Sequence, residues 1–281
     1  MKKIFIMPLV LFFALIWSGF AYSQTVCQSA ITPTPSTFLF NSATATPQAL
    51  ATSNINTANS PTAVMVIECN VALQLNILSF STSVRYELIQ NLIIYNGTRA
   101  INLQLSHLPA FTIAHSIAGS GTTLNSATLL NLSLFAGQNL QIPIYVRTIP
   151  TSVWPKAGLY TGSFQLAVTG NICTVGVVAC LLSVPISPNT TTTFTINLDV
   201  PKYCQFISVP TTISMGSVSF LDEVNTSQIP VTIRCGQDED FKIYATAGDN
   251  YATARRLRSA ANNFVNYEIF HPGSTTKYYL K

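Results

Sequence analysis

The stretch Ile101-Asn102-Leu103-Gln104-Leu105-Ser106 alternates strictly between apolar and polar side chains. Successive side chains of an extended strand point to opposite faces, so this pattern describes a strand with one face in a core and the other in water. The alternation recurs in Val71-Ala72-Leu73-Gln74-Leu75-Asn76-Ile77, through Phe164, Leu166 and Val168, through Phe194, Ile196 and Leu198, and at Val231 and Ile233. Each run is short and has Pro, Gly, Asn or Ser nearby, which predicts antiparallel strands joined by turns. A helix is expected only in the Ala- and Arg-rich stretch Ala252 to Ala261. The expected fold is all-β, with two immunoglobulin-like β-sandwich domains. Long loops are expected around Pro33 and Pro35 and through the Ser- and Thr-rich run containing Pro47 and Pro61.

Charge divides the chain. Between Gln28 and Leu198 the charged residues are Glu68, Arg85, Glu87, Arg99, Arg147 and Lys156. From Asp199 to Lys281 there are eight acidic and eight basic residues, which predicts a domain boundary near Asp199 with the hinge at Asp199-Val200-Pro201-Lys202. The missing charge is replaced by Ser, Thr, Asn and Gln, which suit solvent-facing strand positions. Apolar residues reach 48%, so the chain has enough to bury and is not a disordered one.

At the start, Lys2 and Lys3 precede an apolar run from Ile4 to Trp17, and Ala21-Tyr22-Ser23 supplies small residues for cleavage before Gln24. This is the layout of a secretory signal peptide over 1–23, with the N-terminal domain expected over 24–198 and a second over 199–281. The formal net charge of +4 falls to +2 when Lys2 and Lys3 are removed, too little for a nucleic-acid footprint. Export makes disulfides the natural fate of Cys27, Cys69, Cys173, Cys180, Cys204 and Cys235, and no pair has the short spacing of a structural zinc site.

Candidate chemistry is sparse. His107 and His115 lie eight apart with no third ligand nearby in sequence. Asp238-Glu239-Asp240 lacks the alternating acids of a calcium loop and reads as a solvated turn. No glycine-flanked nucleophilic serine occurs, and Glu68 and Glu87 are the only carboxylates of the first domain. Neither an enzyme nor a cofactor is expected. The unusual constellation is Cys173-Thr174-Val175-Gly176-Val177-Val178-Ala179-Cys180. A bridge between its ends would make either a clamped hairpin whose valines enter the core or a stiff apolar finger offered to a surface. Ile149 to Lys156, with Trp154, and Phe111 to Leu124 are the stretches expected beside it. Val175, Val177, Val178 and Trp154 are therefore the candidate adhesive residues.

The second half carries a resemblance. Cys204, the run Val231-Thr232-Ile233-Arg234-Cys235, Gly236, Phe241 to Ala245, Gly248, Arg255-Arg256-Leu257 and Phe264-Val265-Asn266-Tyr267-Glu268-Ile269-Phe270 follow in the order of the spore coat protein U family. That family supplies subunits of archaic chaperone-usher pili. The family pattern continues beyond Tyr278-Tyr279-Leu280-Lys281, so the second domain is expected to be C-terminally truncated. A sandwich followed by such a domain resembles the two-domain tip adhesin of those pili. Only Gln24, Thr25 and Val26 would precede Cys27 after cleavage, too few for a donor strand, which fits the tip. The resemblance implies a surface adhesin that attaches cells to abiotic or host surfaces and supports biofilm formation. Its partners would be a periplasmic pilus chaperone, an outer-membrane usher and a neighbouring pilin bound by donor-strand complementation, with no nucleic acid. Localisation would be secretion through the periplasm to the pilus tip. It also implies pairings Cys27–Cys69 and Cys204–Cys235, with Cys173–Cys180 suggested by proximity. The alternatives are a minor structural pilin, or a secreted spore-coat-like protein with no ligand of its own.

Overall fold

A computed structural model describes residues 36–58, 63–68, 82–125, 128, 135–136, 139–175, 182–186, 190–213, 228–271, 273–274 and 276. Its strands are β1 (Thr37–Leu39), β2 (Ala63–Glu68), β3 (Ser83–Leu88), β4 (Ile93–Asn96), β5 (Arg99–Ser106), β6 (Gly121–Asn125), β7 (Phe135–Ala136), β8 (Asn139–Thr148), β9 (Gly158–Val175), β10 (Leu182–Pro185) and β11 (Thr190–Val200). Four more follow: β12 (Cys204–Ser208), β13 (Thr232–Cys235), β14 (Arg255–Arg258) and β15 (Phe264–Tyr267). The molecule is all-β, as the alternation predicts.

Ile101–Ser106 lies in β5, and that strand turns the corner of a sandwich. Its first half pairs with β4 from Asn96↔Arg99 to Ile93↔Asn102, and its second half with β8 from Leu103↔Thr148 to Ser106↔Tyr145. One strand thus serves both layers, as strands do where sheets meet at an edge. The strand path runs β1-β11-β9-β4-β5-β8-β2. Inward residues of both ends share one core, including Phe38, Phe164 and Phe194 from one layer and Met65, Ile67, Ile142 and Ile144 from the other. Phe164 and Phe194 are register partners stacked with centroids 5.0 Å apart, and Phe38 lies 5.8 and 5.6 Å from them. Full burial of each such ring contributes about 1.5–3 kcal/mol.

β9 organises this layer. It pairs with β11 along Val200↔Gly158 to Thr190↔Val168, then with β3 and finally with β10. At Gly170, φ is +149° and an added Cβ would lie 2.1 Å from the Ser83 carbonyl oxygen. Only glycine lets β3 approach there. Strand β11 runs two residues past Leu198, ending at Val200.

Two expectations are corrected. The Pro47 region is not all loop: a helix, α1 (Pro47–Thr52), starts there. The Thr46 hydroxyl accepts from the Ala49 N–H at 3.2 Å and Pro47 fills the first turn, where its missing N–H costs nothing. The Ala252–Ala261 stretch is not helical but contains β14. Arg255 spends its guanidinium on the Ala245 and Thr246 carbonyl oxygens, both at 2.9 Å, and Asn262 at φ +63° turns the chain back into β15. Side chains that bond to distant backbone outweigh the weak helix propensity of a short Ala-rich run. The strand Val71–Ile77 lies outside the described residues.

Candidate functional site

Beyond Val200 the packing changes character. β12 pairs with β13 and β14 with β15, each as a two-stranded ladder. Among the described residues, every core hydrophobic lies at or before Val200. After it, Phe206, Phe241, Leu257 and Phe264 are exposed, Phe206 by 58%. Val231 is exposed and Ile233 only half-buried, although their alternation marks a core face. The sequence supplies an apolar side, and no second layer among the described residues covers it. Two-stranded ladders are marginal in water by themselves, and uncovered apolar strand surface is where another strand is received.

The Cys204–Cys235 disulfide closes β12 onto β13, at the register pair Cys204↔Cys235. It matches the pairing implied by the family resemblance. The Cys27–Cys69 pairing lies outside the described residues. So does Cys173–Cys180, since residues 176–181 are not described. What is described is the base of that loop: Val175 pairs with Leu182 and Cys173 with Ser183 at the end of the β9–β10 ladder. Val177 and Val178 lie outside the described residues.

Trp154 does not join them. It precedes the start of β9, whereas Val175 ends it, and eighteen residues of strand at about 3.3 Å each separate the two ends by tens of ångströms. Trp154 is only 7% exposed. Its ring lies 5.6 Å from that of Tyr203, and the Arg234 guanidinium carbon sits 5.6 Å over it. It is a junction residue, buried between the sandwich and the segment after Val200. The acidic turn belongs to the same junction. Asp238 meets Arg99 at 3.2 Å and Lys156 at 3.7 Å, and Glu239 meets Lys202 at 3.6 Å. The turn is not merely solvated: its basic partners come from positions far away in the chain. A cleft of about 330 Å³ opens alongside, lined by Arg99, Asn102, Thr151, Tyr160 and Gln237 among others. Its lining has no acid, histidine or cysteine and so offers no acid–base pair.

His107 and His115 do come together, around Tyr86. Tyr86 Oη and His107 Nδ1 share a hydrogen bond of 2.7 Å, and both His rings meet the Tyr86 ring edge-on at 5.8 and 5.9 Å. His115 Nε2 and Thr122 Oγ1 are 2.6 Å apart. Burial lowers the pKa of His107, helped by the nearby His115, and burial plus the Arg85 charge lowers that of His115. Burial also raises the Tyr86 phenol. All three are neutral at neutral pH and satisfied as a polar cluster in the wall joining β3, β5 and β6. No group of three or more His, Cys, Asp or Glu among the described residues could hold a metal. Nor is any helix among the described residues long and apolar enough to cross a membrane.

Among the described residues the structure thus defines an almost entirely β chain, with a packed sandwich up to Val200 and a disulfide-closed C-terminal segment whose apolar strands are uncovered. Residues 190–280 of that chain match the Spore Coat Protein U domain. No curated protein matches the chain. A solved structure with similarity is a chain of the CsuC–CsuE chaperone–tip adhesion subunit pre-assembly complex from archaic chaperone-usher Csu pili of Acinetobacter baumannii. It is 18% identical, with a TM-score of 0.43, over 86% of this chain and 80% of that one. The CooA pilin subunit of enterotoxigenic Escherichia coli is 14% identical, with a TM-score of 0.33, over 59% of this chain and 88% of that one. AggA, the major subunit of E. coli aggregative adherence fimbriae type I, is 16% identical, with a TM-score of 0.29, over 62% and 95%.

Proposed function

We propose that this chain is a subunit of a chaperone-usher pilus, placed at the tip, that accepts a strand through residues 199–281 and attaches cells through residues 24–198. The observation that carries the reading is the contrast at Val200: all described core on one side, uncovered apolar strands on the other. A segment with intact ladders, a closing disulfide and no covering layer among the described residues is suited to be completed by a strand from outside. The Spore Coat Protein U match over 190–280 supports the same part of the chain as the accepting one. The periplasmic chaperone would cover this surface first, the usher would admit the subunit, and the neighbouring pilin would supply the lasting strand. The stretch from Cys173 to Cys180, which begins at the end of β9 opposite the junction, is the candidate contact with an abiotic or host surface. Such a contact would serve attachment and biofilm formation.

Immunogold labelling of native cells with antibody to the full chain tests this. Gold at fibre ends is the expected result. Gold spaced along fibres makes the chain a shaft or minor pilin, and gold absent from fibres removes the pilus reading.

A further inference from the structure

Tyr203 and Arg234, which hold Trp154, are the residues immediately before Cys204 and Cys235. We infer that the Cys204–Cys235 bridge is a redox-sensitive lock that keeps the C-terminal segment docked on the sandwich by holding Tyr203 and Arg234 together on Trp154.

The contacts divide between the two strands that the bridge joins. From the β12 side, the Tyr203 ring packs on Trp154 and its hydroxyl donates to the Gln48 side-chain oxygen of α1 at 3.3 Å. From the β13 side, Arg234 covers the indole, and buried Gly236 lies flat on the sandwich. A Cβ on Gly236 would sit 2.9 Å from the Pro155 carbonyl oxygen and 3.6 Å from Pro47. Asp238 adds its pairs to Arg99 and Lys156. Neither half of this set is strong alone. The ion pairs are half-exposed and contribute little, and β12–β13 has four register pairs with an irregularity after Phe206. A ladder so short does not persist in water without a staple, and its two cysteines are 31 residues apart in the sequence, a separation whose closure is costly once the staple is gone. The bridge therefore sets the spacing at which both halves reach Trp154 at once. Reduction by a dithiol delivers two electrons and two protons, giving two cysteine thiols and one oxidised dithiol. The halves then separate, and the indole becomes wet. The sandwich core, which the bridge does not touch, remains. In an oxidising compartment the lock stays closed.

The sequence has two tryptophans, Trp17 and Trp154, so the full chain carrying Trp17→Phe has its only indole at the junction. Three forms of it decide the matter by tryptophan emission and acrylamide quenching, with thermal melting of the sandwich followed alongside. Cys204→Ala/Cys235→Ala is expected to shift Trp154 emission to the red and increase quenching, while the cooperative melting of the sandwich persists. Gly236→Val, which wedges the dock with the bridge intact, is expected to give the same red shift. Dithiothreitol should add nothing to the emission of the double cysteine variant, but should convert the bridged chain to its spectrum. An unshifted spectrum in the double variant overturns the inference. So does loss of the sandwich melting in that variant, because the bridge would then support the whole fold rather than the dock. A shift in the double variant with none in Gly236→Val removes docking at Pro155 as the mechanism.

Discussion

Residues up to Val200 and residues beyond it obey the same local pattern and reach different ends. In the first region alternation is cashed in as a core: Phe164 and Phe194 face inward across register partners and are fully buried. In the second, Val231, Leu257 and Phe264 also lie in or beside paired strands and remain exposed. Strand formation depends on local pattern and turn chemistry, but burial depends on a second layer. The two properties are therefore separable within one chain.

The largest contrast is expected between two truncations, one in each region. Phe164→Ala should destabilise the full chain by about 3–5 kcal/mol, as large-to-small changes at packed aromatic sites do. Phe206→Ala should stay within about 0.5 kcal/mol, as exposed substitutions do. Urea unfolding of both variants checks this, and equal losses would mean that the second region has a core of its own. Next comes Gly170→Ala, expected to cost about 1–3 kcal/mol because its φ and the 2.1 Å approach to Ser83 both resist a side chain. Unchanged stability there would show that β3 and β9 are less closely bound than described.

A smaller effect is expected from acid. His107 and His115 have pKa values below the ordinary 6.5 in the folded chain. Above 6.5 neither folded nor unfolded chain carries these protons, so their full contribution is present. As pH falls below 6.5 the unfolded chain takes up protons that the folded one refuses, and stability declines through the window down to the depressed values. Urea midpoints measured in that window should fall with acid, and His107→Gln should flatten the slope; a slope unchanged by the substitution removes the pair from the account. The smallest change in melting is expected for Val175, Val177 and Val178 replaced together by Ser. Surface attachment should be lost while the midpoint barely moves. A large drop in melting temperature would instead place those valines in the core, even if attachment also fell.

Legibility in the sequence followed the range of the interactions. Alternation in Ile101–Ser106 and Phe194–Leu198 led to β5 and β11, because strand periodicity is local. The helix α1 escaped because six residues are too few for a helical stripe, although Thr46-Pro47 is a readable start signal. Arg255 misled in the other direction, since its partners are backbone carbonyls that no side-chain pattern announces. Trp154 and the acidic turn at Asp238 were the least legible. Their partners, Tyr203, Arg234, Arg99 and Lys156, are set by how the chain docks on itself, and only the charge imbalance around Asp199 hinted that a boundary lay near.

The length of β9 has a mechanical meaning. β9 reaches its far end at Val175, just after Cys173, while the C-terminal segment leaves β11 at Val200, opposite Gly158 at the near end. A pull between the far end of β9 and that segment therefore drags two antiparallel neighbours lengthwise past each other. Their hydrogen bonds lie across the direction of the pull. The eleven register pairs from Gly158↔Val200 to Val168↔Thr190 then take the load in shear, all at once, where the same ladder tugged from one end would unzip pair by pair.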